Sequence, residues 1–134
     1  MPYWMPMDIK KLLERNALFV AIAATIILAV LSLSAVPKLN LSLGIKAGDK
    51  YLHFIAYFGL SILWYFALRD KINEKVFKIV VPLGLILYGI ILEGLQSGLT
   101  TYRTGDVYDA MANTAGVIVG MILFNRIIKW YSTI

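Results

Sequence analysis

The sequence contains no cysteine, and only 16% of its 134 residues carry a charged side chain. The absence of cysteine excludes disulfide bonds, thiolate metal sites and thiol nucleophiles. The small number of charges accompanies an apolar share of 60%, against roughly 45–50% in an ordinary soluble domain. These proportions exclude a soluble domain of this length. We therefore expect one domain over 1–134 that lies within a lipid bilayer.

One apolar segment is long enough to cross a bilayer by itself. Residues 17–36 (ALFVAIAATIILAVLSLSAV) contain no charged side chain. As a helix that rises about 1.5 Å per residue, they extend roughly 30 Å, the thickness of the hydrocarbon core. The basic stretch before the segment and the small residues at its end also resemble a signal peptide, whose apolar core is usually only about 7–15 residues long. The length favours an uncleaved transmembrane helix.

Three further apolar segments follow, each bounded by charged or turn-forming residues. They predict spans at 52–68, 76–99 and 107–124. Residues 1–15 combine aromatic, apolar and basic side chains, which is typical of a short helix in the membrane interface. The sequence therefore predicts an all-α membrane protein, a bundle of four transmembrane helices with a short N-terminal interfacial helix.

Basic residues are distributed unequally between the two sides of this bundle. Four spans bring both termini to one side, together with the connection between the second and third spans. That side receives nine of the 13 Lys and Arg residues, and the other side receives four. The positive-inside rule therefore predicts cytoplasmic termini in a multi-pass protein of the cytoplasmic membrane. Because these anchors explain the net charge of +5, we expect the lipid bilayer rather than nucleic acid as the partner.

Each of the last three spans brings a polar stripe to the extracytoplasmic side. A spacing of three or four residues puts His53 and Tyr57 on one face of the second span, and Glu93 and Gln96 on one face of the third. The stripe of the fourth span consists of Asp106, Asp109, Asn113, Gly116 and Gly120. Small residues spaced four apart let membrane helices approach closely, so this face is predicted to point into the bundle.

Several of these residues also have a purely structural interpretation. Asp49 and Asp106 stand where helices begin and could serve as N-caps. Lys50 could extend its ammonium group to the lipid headgroups, and His53 alone would be an ordinary interfacial histidine. Glu93 is different, because it ends a strongly apolar run and a carboxylate at that depth is costly without a partner. It predicts a buried polar cluster.

Three stretches of the sequence resemble, in the same order, the motifs of the VanZ-like family. They are DKYLHFIAYFGLS at 49–61, LEGLQ at 92–96 and RTGDVYDAMANTAGVIVG at 103–120. The resemblance implies a small integral membrane protein and, through the family's namesake, an association with resistance to glycopeptide antibiotics of the teicoplanin type. The motif residues that it carries over are the candidate ligand-binding residues Asp49, Lys50, His53, Tyr57, Glu93, Gln96, Arg103, Asp106, Asp109 and Asn113.

The first functional hypothesis is a non-enzymatic binder at the outer leaflet. Its ligand would be a lipid-linked cell-wall precursor, a lipidated antibiotic or a partner protein. Lys50 and Arg103 would hold a phosphate or carboxylate group, Arg103 through a two-pronged hydrogen bond. We prefer binding to catalysis, because no spacing in the sequence matches a standard metal motif.

The second hypothesis is a membrane enzyme, a transferase or hydrolase that acts on a lipid headgroup, with His53, Glu93 and Asp109 as candidate catalytic residues. The predicted cluster has more carboxylates than cationic side chains, which requires either a retained proton or a divalent cation. The candidate metal ligands are His53, Glu93, Asp106 and Asp109. A third interpretation is that the polar groups only hold helices together, through interhelical hydrogen bonds of roughly 0.6 kcal/mol each.

Overall fold

The computed structural model describes residues 7–33, 48–69, 73–99 and 107–133. These residues form four helices in chain order: α1 (Met7–Leu33), α2 (Gly48–Leu68), α3 (Glu74–Leu99) and α4 (Val107–Ser132). The described part of the chain contains no strand. All four helices are long and apolar enough to cross a membrane. The predicted fold class, an all-α membrane protein with four spans, is therefore confirmed.

The helices extend beyond some of the predicted spans. Helix α1 begins at Met7, so residues 7–15 of the interfacial segment continue without a break into the first span. Helix α4 continues to Ser132, past the predicted end of the span at 124, and includes Arg126 and Lys129. Basic side chains at the end of a span reach the interface without interrupting the helix, which is why they mark the end of the apolar segment but not the end of the helix.

Helix α2 packs most extensively against α4, along the predicted glycine stripe. A β-carbon added to Gly116 would overlap the backbone carbonyl oxygen of Phe54 and would lie 3.0 Å from the backbone nitrogen of Phe58. A β-carbon at Gly120 would overlap the hydroxyl of Ser61. Because glycine has no side chain, the backbones of α2 and α4 can approach to contact distance.

Aromatic side chains fill the bundle on the other half of these helices. The ring of Tyr65 lies 5.1 Å from that of Phe77 and 5.2 Å from that of Phe124, measured between centroids. Helix α1 joins α2 through small residues, since Ala17 and Ala21 are buried in one cluster with Ala67. The core is therefore built from α2, α3 and α4, with α1 packed on α2.

Polar contacts identify one end of the bundle, which we call the terminal end. Here Arg69 at the end of α2 lies 3.5 Å from Oε1 of Glu14 on α1, and the hydroxyl of Tyr131 on α4 donates to the same oxygen at 3.3 Å. The guanidinium of Arg69 also stacks over the ring of Phe66, 4.5 Å from its centroid. The opposite end, which we call the site end, is formed by the start of α2, the end of α3 and the start of α4.

Much of the outer surface of the bundle is apolar, as lipid contact requires. Large apolar side chains are exposed along α1 and α3, among them Phe19, Ile26, Ile79 and Leu87. In water, apolar patches of this extent would cause association. In a bilayer the same side chains face lipid tails, so the buried polar residues are the ones that need an explanation.

Candidate functional site

Five polar side chains from three helices meet at the site end. We call them the ionic cluster: Lys50 and His53 from α2, Glu93 from α3, and Asp109 and Asn113 from α4. The residues on α2 and α4 lie near helix starts, whereas Glu93 lies near a helix end. They reach the same depth because α3 runs in the opposite direction to α2 and α4.

His53 is the centre of the ionic cluster. Its Nδ1 lies 3.0 Å from Oδ1 of Asn113 and 3.9 Å from Oε1 of Glu93. Its Nε2 lies 3.5 Å from Oδ2 of Asp109. An amide oxygen only accepts hydrogen bonds, so Nδ1 donates to Asn113 and carries the proton in this arrangement. The imidazole is therefore held between two carboxylates with a defined orientation.

Asp109 is the most deeply buried charge of the cluster, with a side chain only 5% exposed. Its Oδ1 forms an ion pair at 3.2 Å with Nζ of Lys50, whose side chain is 33% exposed. The same oxygen makes no hydrogen bond of good geometry. Asp109 therefore lies inside the bundle beneath Lys50, which closes the cluster toward its surface.

Gly89 on α3 leaves room for two buried side chains at the cluster, Tyr57 and Asn113. A β-carbon on Gly89 would lie 3.2 Å from Cε2 of Tyr57 and 3.3 Å from Nδ2 of Asn113. Tyr57 and Asn113 are each only 2% exposed, so neither has free space to move into. Gly89 lies four residues before Glu93 on α3, and its lack of a side chain leaves the space that Tyr57 and Asn113 occupy.

Gln96 links the site end to α1. It lies one turn beyond Glu93 and is buried. Its Nε2 donates to the backbone carbonyl of Ser32 at 2.7 Å. This carbonyl lies near the end of α1, where helix carbonyls lack partners within the helix. The structure thus gives Gln96 a contact with α1 that the sequence did not predict.

The predicted site residues divide into those that the structure brings together and those it does not describe. Lys50, His53, Glu93, Asp109 and Asn113 form the cluster, Tyr57 lies beside it, and Gln96 contacts α1. The side chain of Asp49 and the whole of Arg103 and Asp106 lie outside the described residues. The predicted phosphate contact of Arg103 and metal ligation by Asp106 therefore stay predictions.

The cluster can supply both metal ligands and proton-transfer groups. One ligand atom each of His53, Glu93 and Asp109 lies within 4.8 Å of the other two. Among the described residues, two carboxylates face the single ammonium group of Lys50, so the cluster has a net charge of −1 when His53 is neutral. This favours an additional positive charge, either a proton or a cation.

A second feature of the bundle was not predicted from the sequence. Nε1 of Trp64 donates to the hydroxyl of Thr25 at 2.9 Å, and the hydroxyl of Tyr88 donates to the backbone carbonyl of Thr25. These residues border an apolar cavity of about 240 Å³ between α1, α2 and α3. The one sequence signal for this contact is Thr25, a polar residue in an uncharged apolar run, and it does not identify Trp64 or Tyr88 as the partner.

Comparison with known proteins gives the chain a family context. The family model VanZ/LLP1 matches residues 5–129. An uncharacterized protein of Schizosaccharomyces pombe is 29% identical over 98 residues, which cover 73% of this chain and 59% of the relative. The chain thus spans less than two thirds of the length of that relative. No solved structure matches the chain significantly.

Proposed function

The chain belongs to the VanZ-like family of membrane proteins, and on this premise we propose that it binds the headgroup of a membrane-embedded ligand at the ionic cluster. The ligand we propose is a lipid-linked cell-wall precursor or a lipidated antibiotic. The observation that carries this proposal is the convergence of Lys50, His53, Glu93, Asp109 and Asn113 at one end of the bundle. Polar groups are costly at membrane depth, and such concentrations usually mark substrate or ion sites.

The partly exposed Lys50 supports recognition of an anionic headgroup. Its ammonium group contacts the buried Asp109, and its side chain is 33% exposed. A phosphate or carboxylate that enters from the surface would meet this cation first and form a charge-assisted hydrogen bond with it. The proposed site faces the extracytoplasmic side of the cytoplasmic membrane, because the terminal end carries most of the basic residues.

Lipid binding tests this proposal directly. The protein is reconstituted in nanodiscs, and its affinity for short-chain phosphatidic acid is compared with that for the uncharged diacylglycerol. We expect saturable binding of the phosphatidic acid and a loss of about tenfold or more in Lys50→Ala, because a charge-assisted hydrogen bond contributes about 1.5–3 kcal/mol. Glu14→Gln, a change at the terminal end, is the matched control and should bind normally. Equal binding of both lipids by every variant would refute the proposal.

Family membership suggests a cellular role in glycopeptide resistance. We expect expression in a teicoplanin-sensitive host to raise the concentration of teicoplanin that inhibits growth. Glu93→Gln should abolish this increase at equal protein levels in the membrane, because it removes a buried charge of the cluster. If the wild-type protein leaves the inhibitory concentration unchanged, this chain does not confer the resistance associated with the family's namesake.

A second candidate function is catalysis on a lipid headgroup. It is favoured by the position of His53 between Glu93 and Asp109, since an imidazole held by carboxylates can accept and return a proton. The reaction would be a transfer or hydrolysis of the headgroup. Catalysis predicts a change in the extracted membrane lipids that depends on Glu93 and His53. Binding alone predicts identical lipid composition with the wild-type protein and with Glu93→Gln.

A further inference from the structure

We propose that His53, Glu93 and Asp109 bind one divalent transition-metal ion, and that this ion together with Lys50 holds the phosphate of the ligand. The metal site stands on its own geometry, whereas the role of the ion in holding the phosphate rests on the proposed function. One imidazole and two carboxylates form a donor set that suits Zn²⁺ or Mn²⁺.

The spacing of the donors fits a common ion. Bonds of about 2.1 Å from a tetrahedral ion place two ligand atoms roughly 3.4 Å apart. Nε2 of His53 and Oδ2 of Asp109 are 3.5 Å apart, close to this value. One ligand atom of each residue lies within 4.8 Å of the other two. Oε1 of Glu93 lies 3.9 Å from Nδ1 of His53, so the Glu93 side chain must turn toward Nε2 to complete the set.

The orientation of His53 leaves the correct nitrogen for a metal. Because Nδ1 donates to Oδ1 of Asn113 at 3.0 Å, Nε2 of the neutral ring presents its lone pair toward Asp109. A lone pair that faces a carboxylate oxygen is unfavourable unless a positive charge lies between them. Metal-binding histidines characteristically donate from their other nitrogen to a nearby oxygen, and Asn113 supplies that acceptor.

Asp109 provides an independent observation. Its side chain is 95% buried, and its Oδ1 makes no hydrogen bond. A carboxylate oxygen in this position normally accepts at least one hydrogen bond. The ion pair with Lys50 gives Oδ1 a nearby positive charge but no hydrogen bond of good geometry. Coordination of a cation by both oxygens of the carboxylate would also give Oδ1 a direct bond.

The charges explain why such an ion and a phosphate would bind together. The described cluster carries −1 when His53 is neutral, from Glu93, Asp109 and Lys50. A divalent ion changes this to +1, and a phosphate group that carries one negative charge brings it to zero. A neutral assembly is the least costly one at membrane depth. The described residues thus favour an ion and an anionic headgroup together over either alone.

The first test measures the ion. The protein is purified in detergent without chelator, analysed for metals, stripped with EDTA and titrated with Zn²⁺ and Mn²⁺. We expect about one bound ion per chain and at least tenfold weaker binding in His53→Ala and Asp109→Asn, with Glu14→Gln unchanged. Absence of saturable binding, or equal binding in these variants when they elute and melt as the wild type does, would overturn the metal site.

A measurement on the wild-type protein avoids variants that fail to fold. Pulsed electron paramagnetic resonance of bound Mn²⁺ detects the nitrogen of a coordinating imidazole. We expect the echo signal of Mn²⁺ to be modulated by one histidine nitrogen. Because the sequence contains one histidine, this signal would assign the ligand to His53. Bound Mn²⁺ without a nitrogen signal would place the ion elsewhere and refute the assignment.

The second test separates the ion from the ligand. Binding of short-chain phosphatidic acid and of inorganic phosphate is measured with Zn²⁺ and with EDTA. Binding of the lipid only with Zn²⁺ supports the complete proposal, and equally tight binding of inorganic phosphate would identify the free anion as the ligand. Lipid binding that persists in EDTA overturns the metal role but leaves the proposed function intact. If Zn²⁺ binds but changes the affinity for neither the lipid nor inorganic phosphate, the ion does not hold the phosphate of the ligand.

Discussion

At the scale of single residues, contact partners decide between a structural and a functional interpretation of a polar side chain. Lys50 and His53 were each open to a structural interpretation from the sequence. In the structure, the ammonium group of Lys50 lies 3.2 Å from Oδ1 of Asp109. It therefore turns toward a buried carboxylate instead of serving only as a headgroup contact. His53 contacts residues of α3 and α4, which an isolated interfacial histidine would not do. The distinction depends on partners from distant parts of the chain, and a sequence pattern cannot measure those distances.

Removal of Lys50 should destabilise the protein through Asp109. We expect Lys50→Met to lower the free energy of unfolding by about 1–3 kcal/mol, because Asp109 is then buried without its cation. The value lies below that for a fully buried pair, because Lys50 is partly exposed and water screens its charge. The double variant Lys50→Met/Asp109→Asn should recover part of this loss. Equilibrium unfolding in mixed micelles measures the free energy of unfolding of the single and double variants. A double variant that is less stable than the sum of the two single changes would contradict the pairing.

At the scale of the helices, burial confirms the predicted stripe of α4 for the residues that the structure describes. Asp109, Asn113, Gly116 and Gly120 are all buried on the face that packs against α2. Periodicity predicted this face because a membrane helix with polar and small residues on one side must turn that side inward. The ends of α1 and α4 were less predictable. Charged residues end an apolar segment but do not end a helix, so α4 continues beyond the predicted span.

The contact between α2 and α4 predicts unequal effects of two glycine substitutions. Gly116→Ala should lower the free energy of unfolding by about 1–3 kcal/mol, since the new methyl group overlaps the backbone of Phe54, which cannot rotate away. Gly59→Ala is the matched control in α2, where no heavy atom lies within 4 Å of the added carbon. It should be neutral or slightly stabilising, because alanine favours helix by up to about 1 kcal/mol. Equal unfolding midpoints for the two variants would contradict the close approach.

At the scale of the whole molecule, the two ends of the bundle differ in chemistry. The terminal end combines Arg69 with Glu14 and aromatic rings, as expected for an interface anchor, whereas the site end holds the ionic cluster. The lengths of the apolar segments in the sequence were sufficient to predict the four spans, and their direction across the membrane stays a prediction. Segment lengths could not supply the Thr25–Trp64 contact, because a single polar residue in an apolar run does not identify its partner.

The orientation in the membrane can be measured on a background without cysteine. We expect Thr101→Cys, between α3 and α4, to react with a membrane-impermeant maleimide on intact cells. Thr133→Cys, at the end of the chain that follows α4, should react only after the cells are opened, because the positive-inside rule places that end in the cytoplasm. The reverse pattern would place the ionic cluster on the cytoplasmic side.

The most direct measurement is native mass spectrometry of the wild-type protein and of His53→Ala, released from nanodiscs under the same conditions. If three helices converge to form one binding site, the wild-type spectrum will show a bound species that His53→Ala lacks, while Glu14→Gln retains it. Identical spectra for all three proteins, with the same folded charge states, would contradict a binding site at the ionic cluster.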